Sequence, residues 1–524
     1  MKNFESISGT FLTEPRVSYI AKQIRQLMNV VEFEKDGEVV SIDGFRLKNM
    51  EHWRVPVNSI QDMMWHLSNV CNLNCEFCYE KGNPPDFPIK NIPHCVSMDE
   101  VETRMKYWSE SDNKGIFGVI AAINEPLCHP DFGKLLGILR QNTLLKPLVF
   151  VTNGTKLTEE MIKILKKNMP VFFNLSVNTI DSEYRKMVLS DRHPEIVKES
   201  IPLLEKYEIP YTASIVAWPS IPAEDIERTI SYLDRFNCTM VRICLSGYSK
   251  YFSSKVLFDL EEHWKSVVDF CTPLQKKYSI PIIFEPQHYV QQEINAYVMG
   301  TIANSPATLS GIMIGDILTK VNDEPVYSPH QARSLLFETM KISRNANISI
   351  MRNGVSIEFV LDLDNPKSQC YPYNQIKEFD DFTYGIIFNN ILRYSEIKQV
   401  RDAIIKNNAE SKTIIMTSRL MKPIVEKQLM YSEAFDDFNI IYKVPKNNYF
   451  GGTIIMGDLL TVQDFLDCIN IEIAHEHPDV KLILIPSSPF GSNRWKRDLC
   501  GVPVSELYRK SKFPIVLIDC ETIQ

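Results

Sequence analysis

Cys71, Cys75 and Cys78 stand in the run Ser68-Asn69-Val70-Cys71-Asn72-Leu73-Asn74-Cys75-Glu76-Phe77-Cys78-Tyr79. The spacing C-x3-C-x2-C draws three thiolates from one short loop. Iron–sulfur clusters are held by cysteine thiolates, usually four. Three thiolates with no fourth close by imply a four-iron cluster with one iron left open, and an open metal position is where chemistry happens. Two plainer readings compete. A zinc site would close with a fourth Cys or His at a recognisable spacing, but His94 and Cys95 follow too late for a compact knuckle. A disulfide with a spare thiol would suit a secreted chain.

Composition argues for the metal. The chain has 524 residues, too many for a single core. Hydrophobic residues make up 44% and charged ones 23%, an ordinary balance for a globular protein. The net charge of −8 gives no general affinity for a nucleic acid backbone. The other cysteines are scattered singly, against a disulfide framework. No apolar run reaches the ~20 residues that span a bilayer. Met1 to Thr10 is polar, without the apolar segment of a secretion signal. The expectation is a cytoplasmic protein with no nucleic acid partner and no membrane association.

The elements that must position the cysteines alternate. Residues 1–60 read as a cap whose Asp36-Gly37 marks a two-residue hairpin turn. Over 61–286 the strand candidates are Met63–Val70, Ile116–Ile123, Pro147–Thr152, Val171–Val177, Tyr211–Ala217 and Met240–Leu245. Helical patterns lie between them, so parallel pairing with right-handed crossovers follows. The fold class is α/β, with a partial (β/α)6 barrel. Reactive groups of such barrels sit at the C-terminal ends of the strands, and Cys71 follows the first strand directly. Residues 375–524 alternate again, with strands at Tyr384–Phe388, Thr413–Thr417, Asn439–Val444, Lys481–Ile485 and Pro514–Ile518. Gly451-Gly452-Thr453 is too short for a phosphate loop and lacks a following Lys-Ser/Thr. His475 and His477 flank Glu476, but side chains two apart do not share a helix face.

The cysteine motif, with Phe77 before its last thiol, resembles the signature of the radical S-adenosylmethionine (SAM) superfamily. That resemblance implies a [4Fe-4S] cluster whose open iron chelates SAM, and an electron that cleaves SAM to methionine and a 5′-deoxyadenosyl radical. Ile123-Asn124-Glu125-Pro126-Leu127 stands where the family carries Gly-Gly-Glu-Pro-Leu, so Asn124, Glu125 and Pro126 are expected to bind the methionine end of SAM. Asn174, Ser176 and Asn178 alternate onto one strand face. Polar residues there are costly without a polar partner, and the family's use of this strand makes Asn174 and Ser176 expected SAM contacts. Arg185 is a further candidate for the carboxylate, or an exposed helix residue. Thr152-Asn153-Gly154 is either a family-like turn or a mere strand-to-helix connection. Tyr248, Tyr251 and Cys244 are candidate radical or proton donors near the barrel mouth.

Residues 288–364 resemble a bacterial PDZ domain, through Ser305-Pro306-Ala307, Gly311-Ile312-Met313-Ile314-Gly315-Asp316 and Asn353-Gly354. Such domains add a peptide as an extra strand, yet Tyr289–Val298 lacks the glycine-rich carboxylate loop. The tail run Phe450-Gly451-Gly452-Thr453 resembles that of radical SAM proteins with a PDZ domain and a C-terminal domain of unassigned function. The expectation is a single-cluster enzyme acting on a peptide or small metabolite, with flavodoxin or ferredoxin as electron donor. The rival is a non-catalytic iron–sulfur scaffold or redox sensor with a peptide-binding module.

Overall fold

The computed structural model describes residues 32–35, 38–41, 70–85, 125–143, 148–252, 258–285, 295–368, 383–389, 391–430, 432–490 and 497–520, with scattered positions between 95 and 105. The strand candidates Met63–Val70 and Ile116–Ile123 fall almost wholly outside them. Two compact units form. The first takes residues 1–71, 92–152 and 164–171; the second takes 72–91, 153–163 and 172–524.

In the first unit, β1 (Glu32–Lys35) and β2 (Glu38–Ser41) pair antiparallel with Lys35 opposite Glu38, the register that a two-residue connection gives. The helix Phe132–Thr143 buries Leu135, Leu136 and Leu139. β3 spans Leu148–Thr152. Arg140 ties the helix to the carbonyls of Asn168 (3.0 Å) and Pro170 (2.8 Å).

In the second unit, β4 (Val171–Ser176), β5 (Tyr211–Ala217), β6 (Val241–Leu245) and β7 (Ile282–Glu285) pair in parallel in that order. Helices Pro194–Lys206, Ala223–Leu233 and Leu260–Cys271 provide the crossovers that parallel strands need. β7 is a strand beyond the sequence candidates: its four residues follow Pro281, and so short an apolar run has no period to read.

The next sheet runs in the order β12-β11-β9-β8-β13. Its strands are β8 (Ala296–Thr301), β9 (Ile317–Val321), β11 (Asn345–Arg352), β12 (Val355–Asp362) and β13 (Ile386–Phe388), with β10 (Glu324–Pro325) pairing β9. The pair Gly315-Asp316 is fixed by charge. Asp316 takes Arg352 Nε at 2.6 Å and Nη2 at 2.7 Å, and Met313 N donates to it at 2.9 Å. β13 corrects the sequence reading. It pairs antiparallel with β8, not with the strands of the C-terminal layer. Tyr384, Ile386 and Phe388 join the same core as Val298, Leu318 and Leu336.

The C-terminal layer is a parallel sheet in the order β15-β14-β16-β17, from β14 (Thr413–Met416), β15 (Ile440–Lys443), β16 (Leu482–Pro486) and β17 (Ile515–Ile518). Helices on its faces build two apolar cores around Phe465 and Ile404. Glu476 is bound by Lys443. Among the described residues no helix is long and apolar enough to cross a membrane.

The entry to β13 depends on Gly385. Its φ is +82°, and a Cβ there would lie 2.1 Å from Ser305 Cβ. Gly385→Ala should therefore cost at least about 1–2 kcal/mol from backbone conformation alone, plus the steric shift. Hydrogen exchange should accelerate in Ile386–Phe388 and leave β16 unchanged.

Candidate active site

The cysteine loop has no regular secondary structure until the short turn Tyr79–Gly82. Backbone groups of the loop and the side chain of Asn72 bond to distant parts of the chain. Within the second unit, Asn72 Nδ2 donates to Thr155 Oγ1 at 2.7 Å, and Asn153 Nδ2 donates to Asn72 Oδ1 at 3.2 Å. The Thr152-Asn153-Gly154 turn is thus more than a connection. Asn74 N and Glu76 N donate to the carbonyls of Leu189 (3.1 Å) and Val188 (2.8 Å) at the end of the helix Ser182–Leu189. Lys81 Nζ reaches back to the carbonyls of Asn74 (2.9 Å) and Cys75 (2.5 Å). Ser249 Oγ closes the far end on Gly82 O at 2.5 Å.

Side chains of the loop pack as well. Leu73 and Phe77 lie against a cluster of Val188, Leu189, Trp218 and Ile221, with Phe252 and Phe258 alongside. The ring centroids of Phe77 and Trp218 are 6.1 Å apart, and Phe258 meets Trp218 edge-on at 5.4 Å. The Trp218 indole N–H donates to Glu76 Oε2 at 3.0 Å, joined by Ser220 Oγ at 3.2 Å. Trp218 and Glu76 were not singled out in the sequence. A Trp after a strand end and a Glu between two cysteines are the available signals, and neither alone says that they meet.

Cys71 is exposed and closes the first unit; Cys75 and Cys78 are half-buried in the second, where Cys78 N donates to Cys75 O at 3.3 Å. Burial pushes the Cys78 thiol up, opposed by the Glu80 backbone donor. Among the described residues no three Cys, His, Asp or Glu side chains gather at the spacing of a single-ion site. A four-iron cluster asks for something else, since each thiolate binds its own iron. The half-buried Cys75 and Cys78, on a loop bonded to other elements of the second unit, fit that demand.

Arg185 is not an exposed helix residue. It is fully buried, as is Asp191, and the two form an ion pair at 2.7 Å. Nε also donates to Asp191 at 2.8 Å, and Nη1 to the carbonyls of Val177 (2.8 Å) and Thr179 (3.2 Å). Burial pulls its pKa down, while Asp191 first and Cys75 last hold it up. The pair fixes the helix whose last carbonyls hold Asn74 and Glu76.

The sheet β4–β7 has one apolar face and one on which polar side chains are interspersed with Val216 and Ile283. Phe173, Leu175, Ala213, Ile215, Val241, Ile243 and Phe284 are buried on the first. Register and alternation place Asn174 and Ser176, Thr212 and Ser214, Arg242 and Cys244, and Glu285 on the second. Thr212 Oγ1 donates to Asn174 Oδ1 at 2.6 Å, and Ser214 Oγ to Ser176 Oγ at 3.4 Å. Arg242 grips Glu285 with two bonds of 2.6 Å while both stay about a quarter to a third exposed, at 27% and 31%. Cys244 Sγ lies 3.7 Å from Glu285 Oε2, and burial, then that carboxylate, pushes its pKa up to about 12. Asn178 leaves the face. Its φ is +58°, and its amide bonds Val216 N and Ser176 O.

In the first unit, Glu125 is 2% exposed and its Oε1 accepts from Leu127 N (3.1 Å) and Thr152 Oγ1 (2.7 Å). Glu125 N donates to Val70 O at 3.1 Å. Pro126 is buried in the same turn. Asn124 lies outside the described residues.

Residues 65–233 match the radical SAM superfamily and residues 279–363 match a PDZ domain. The chain therefore carries a radical SAM domain and a PDZ domain. The radical SAM superfamily works with a [4Fe-4S] cluster and SAM. The chain is 22% identical over 133 residues to the GTP 3′,8-cyclase of Pasteurella multocida (strain Pm70), a quarter of this chain (25%) and 37% of that protein. It is 24% identical over 115 residues to the GTP 3′,8-cyclase of Yersinia pestis, 22% of this chain and 33% of that one. The match thus spans about a third of the length of these relatives. Among solved structures, SuiB of Streptococcus suis bound to S-adenosylmethionine is 17% identical, with a TM-score of 0.34 over 52% of this chain and 63% of its own. Methylornithine synthase (PylB) is 14% identical, with a TM-score of 0.30 over 53% of this chain and 83% of its own.

Removing one partner of a buried ion pair strands the other charge, at a cost of about 3–5 kcal/mol. Asp191→Ala should lower stability by that amount in chemical denaturation. The exposed pair of Lys186 with Glu183 on the same helix should give less than about 1 kcal/mol when Glu183 is replaced by Ala.

Proposed function

We propose that this chain is a cytoplasmic radical SAM enzyme with one [4Fe-4S] cluster, held by Cys71, Cys75 and Cys78, and that it starts radical chemistry on a peptide or small metabolite. The observation that carries the reading is the cysteine loop: three thiols on irregular backbone whose polar groups are bonded to other elements. When bound, the cluster and SAM supply the electron and the 5′-deoxyadenosyl radical; an electron donor such as flavodoxin or ferredoxin supplies the cluster. The protein's share is binding, orientation and shielding.

Asn174 and Ser176 are our proposed SAM contacts. Their side chains project from the polar face near the end of β4, and their present partners are the hydroxyls of Thr212 and Ser214, which can exchange partners with a ligand. We assign Asn124, Glu125 and Pro126 to the methionine end of SAM on the resemblance of the turn. Glu125 serves there by holding the turn, because its carboxylate already bonds Leu127 N and Thr152. Arg242 and Glu285 continue the polar face and offer a substrate both a donor and an acceptor. The PDZ domain is suited to presenting a peptide. Arg333 already donates to the carbonyls of Phe388 (3.3 Å) and Asn389 (3.2 Å) on its edge strand, so a peptide added there must compete with it. The four-part organisation we propose is a cap over 1–60, the barrel over 61–286, the PDZ domain over 288–364 and an α/β domain within 375–524, with Ile386–Phe388 given back to the PDZ sheet.

Anaerobic incubation with SAM and dithionite should release 5′-deoxyadenosine. Cys75→Ala with Cys78→Ala should reduce release to background. Ser176→Ala should keep the cluster but raise the SAM concentration for half-maximal release about three- to tenfold, the worth of one hydrogen bond. Release no greater than that of the double variant would contradict the proposal.

A further inference from the structure

Gly451-Gly452-Thr453 carries no phosphate-loop chemistry, yet it makes a dense set of contacts in the second unit. It meets Tyr248-Ser249-Lys250, the segment that leaves β6. Tyr248 N donates to Thr453 Oγ1 at 2.8 Å, and Thr453 N donates to Tyr248 O at 2.8 Å. Lys250 N donates to Phe450 O at 2.8 Å, and Lys250 Nζ to Asn448 O at 2.7 Å. The two chains lie so close at Gly452 that no side chain fits. Its φ is +63°, and a Cβ would stand 2.1 Å from Tyr248 O and 2.8 Å from Ser249 C.

Both sides of this contact are anchored. On the C-terminal side, Asn448 N donates to Asp464 Oδ1 at 2.7 Å, and the other oxygen of Asp464 caps its helix through Thr461. On the barrel side, Ser249 Oγ bonds Gly82 O, the end of the cysteine loop, at 2.5 Å. A Cβ on Gly82 would approach Ser249 Oγ to 2.9 Å, so this junction is also tight. Tyr248 stacks toward Phe252 and Phe258, which in turn flank Trp218 beneath Phe77. From Asp464 to Cys78 the connection runs through bonded or packed neighbours.

We propose that Gly452 and Thr453 are positioning residues for the cluster loop: the C-terminal domain clasps the β6 exit, and the clasp holds Ser249 against Gly82. The inference rests on the radical SAM reading of the cysteines for its consequence, cluster retention, but not for the contact itself. It makes the C-terminal domain a working part of the cluster site rather than an appended module.

The test uses the full chain with Gly452→Ala, Thr453→Val, Thr453→Ser and, as a control, Lys412→Ala. The control breaks the bond of Lys412 to Asp479 in the same domain, away from the clasp. Two quantities are read: iron per chain after anaerobic reconstitution, and the alkylation rate of Cys75 and Cys78 in cluster-free protein, with circular dichroism as the check on folding. Gly452→Ala and Thr453→Val should lower iron about threefold and speed alkylation roughly three- to tenfold, the range of one lost hydrogen bond acting through local opening. Thr453→Ser keeps the hydroxyl and should match the wild type, as should Lys412→Ala. Wild-type iron and wild-type alkylation in both damaging variants overturn the proposal, and so does an equal loss in Lys412→Ala. A wild-type chain that binds no iron defeats the function proposed above instead, and alkylation alone then decides the clasp.

Discussion

An irregular loop can offer several side chains to one point only if its own backbone is satisfied from outside. A helix would string Cys71, Cys75 and Cys78 along one face over about 10 Å, and a strand would turn Cys78 to the face opposite the other two. The loop that carries them therefore borrows its hydrogen bonds: from the Asn153–Thr155 turn, from the last carbonyls of the helix Ser182–Leu189, from Lys81 and from Ser249. Both sides of the contact between loop and helix are fixed in turn. The helix is held by the buried pair Arg185–Asp191, and Glu76 by the indole of Trp218.

The same logic separates the two faces of the sheet β4–β7. A parallel sheet covered on both sides reads as nearly continuous apolar residues. Here only one face does. The other carries a row from Asn174 to Glu285, with the Arg242–Glu285 pair still partly open to solvent. Hydroxyl, amide, guanidinium, thiol and carboxylate groups on adjacent strands are a poor core and a good lining for a polar ligand. On the proposed reading, chemistry is divided between a loop that presents thiols and a surface that offers hydrogen bonds.

Much of this was legible in the sequence, because the signals are local. The cysteine spacing, the strands from Pro147 to Leu245, the Asp36-Gly37 hairpin and the Gly315-Asp316 turn are each read within a dozen residues. What the sequence hid depends on distance along the chain. Arg185 looks like a surface residue until Asp191 and the carbonyls of Val177 and Thr179 enclose it. Tyr384–Phe388 has the composition of any apolar strand, and nothing local says that it pairs back to Ala296–Thr301. Gly451-Gly452-Thr453 fails as a phosphate loop on its sequence, and its actual constraint, the backbone of Tyr248, lies 205 residues before Thr453. β7 was too short to show a period. Asn178 followed the alternation of β4 until its left-handed backbone turned it away.

The central claim is that three thiolates leave one iron of a cubane open to SAM. The most direct measurement is the electron paramagnetic resonance spectrum of the anaerobically reduced, reconstituted protein, taken with and without SAM. The account predicts the signal of a single [4Fe-4S] cluster whose g-values shift when SAM is added. Protein that takes up no iron, or a cluster whose signal is unmoved by saturating SAM, would contradict it.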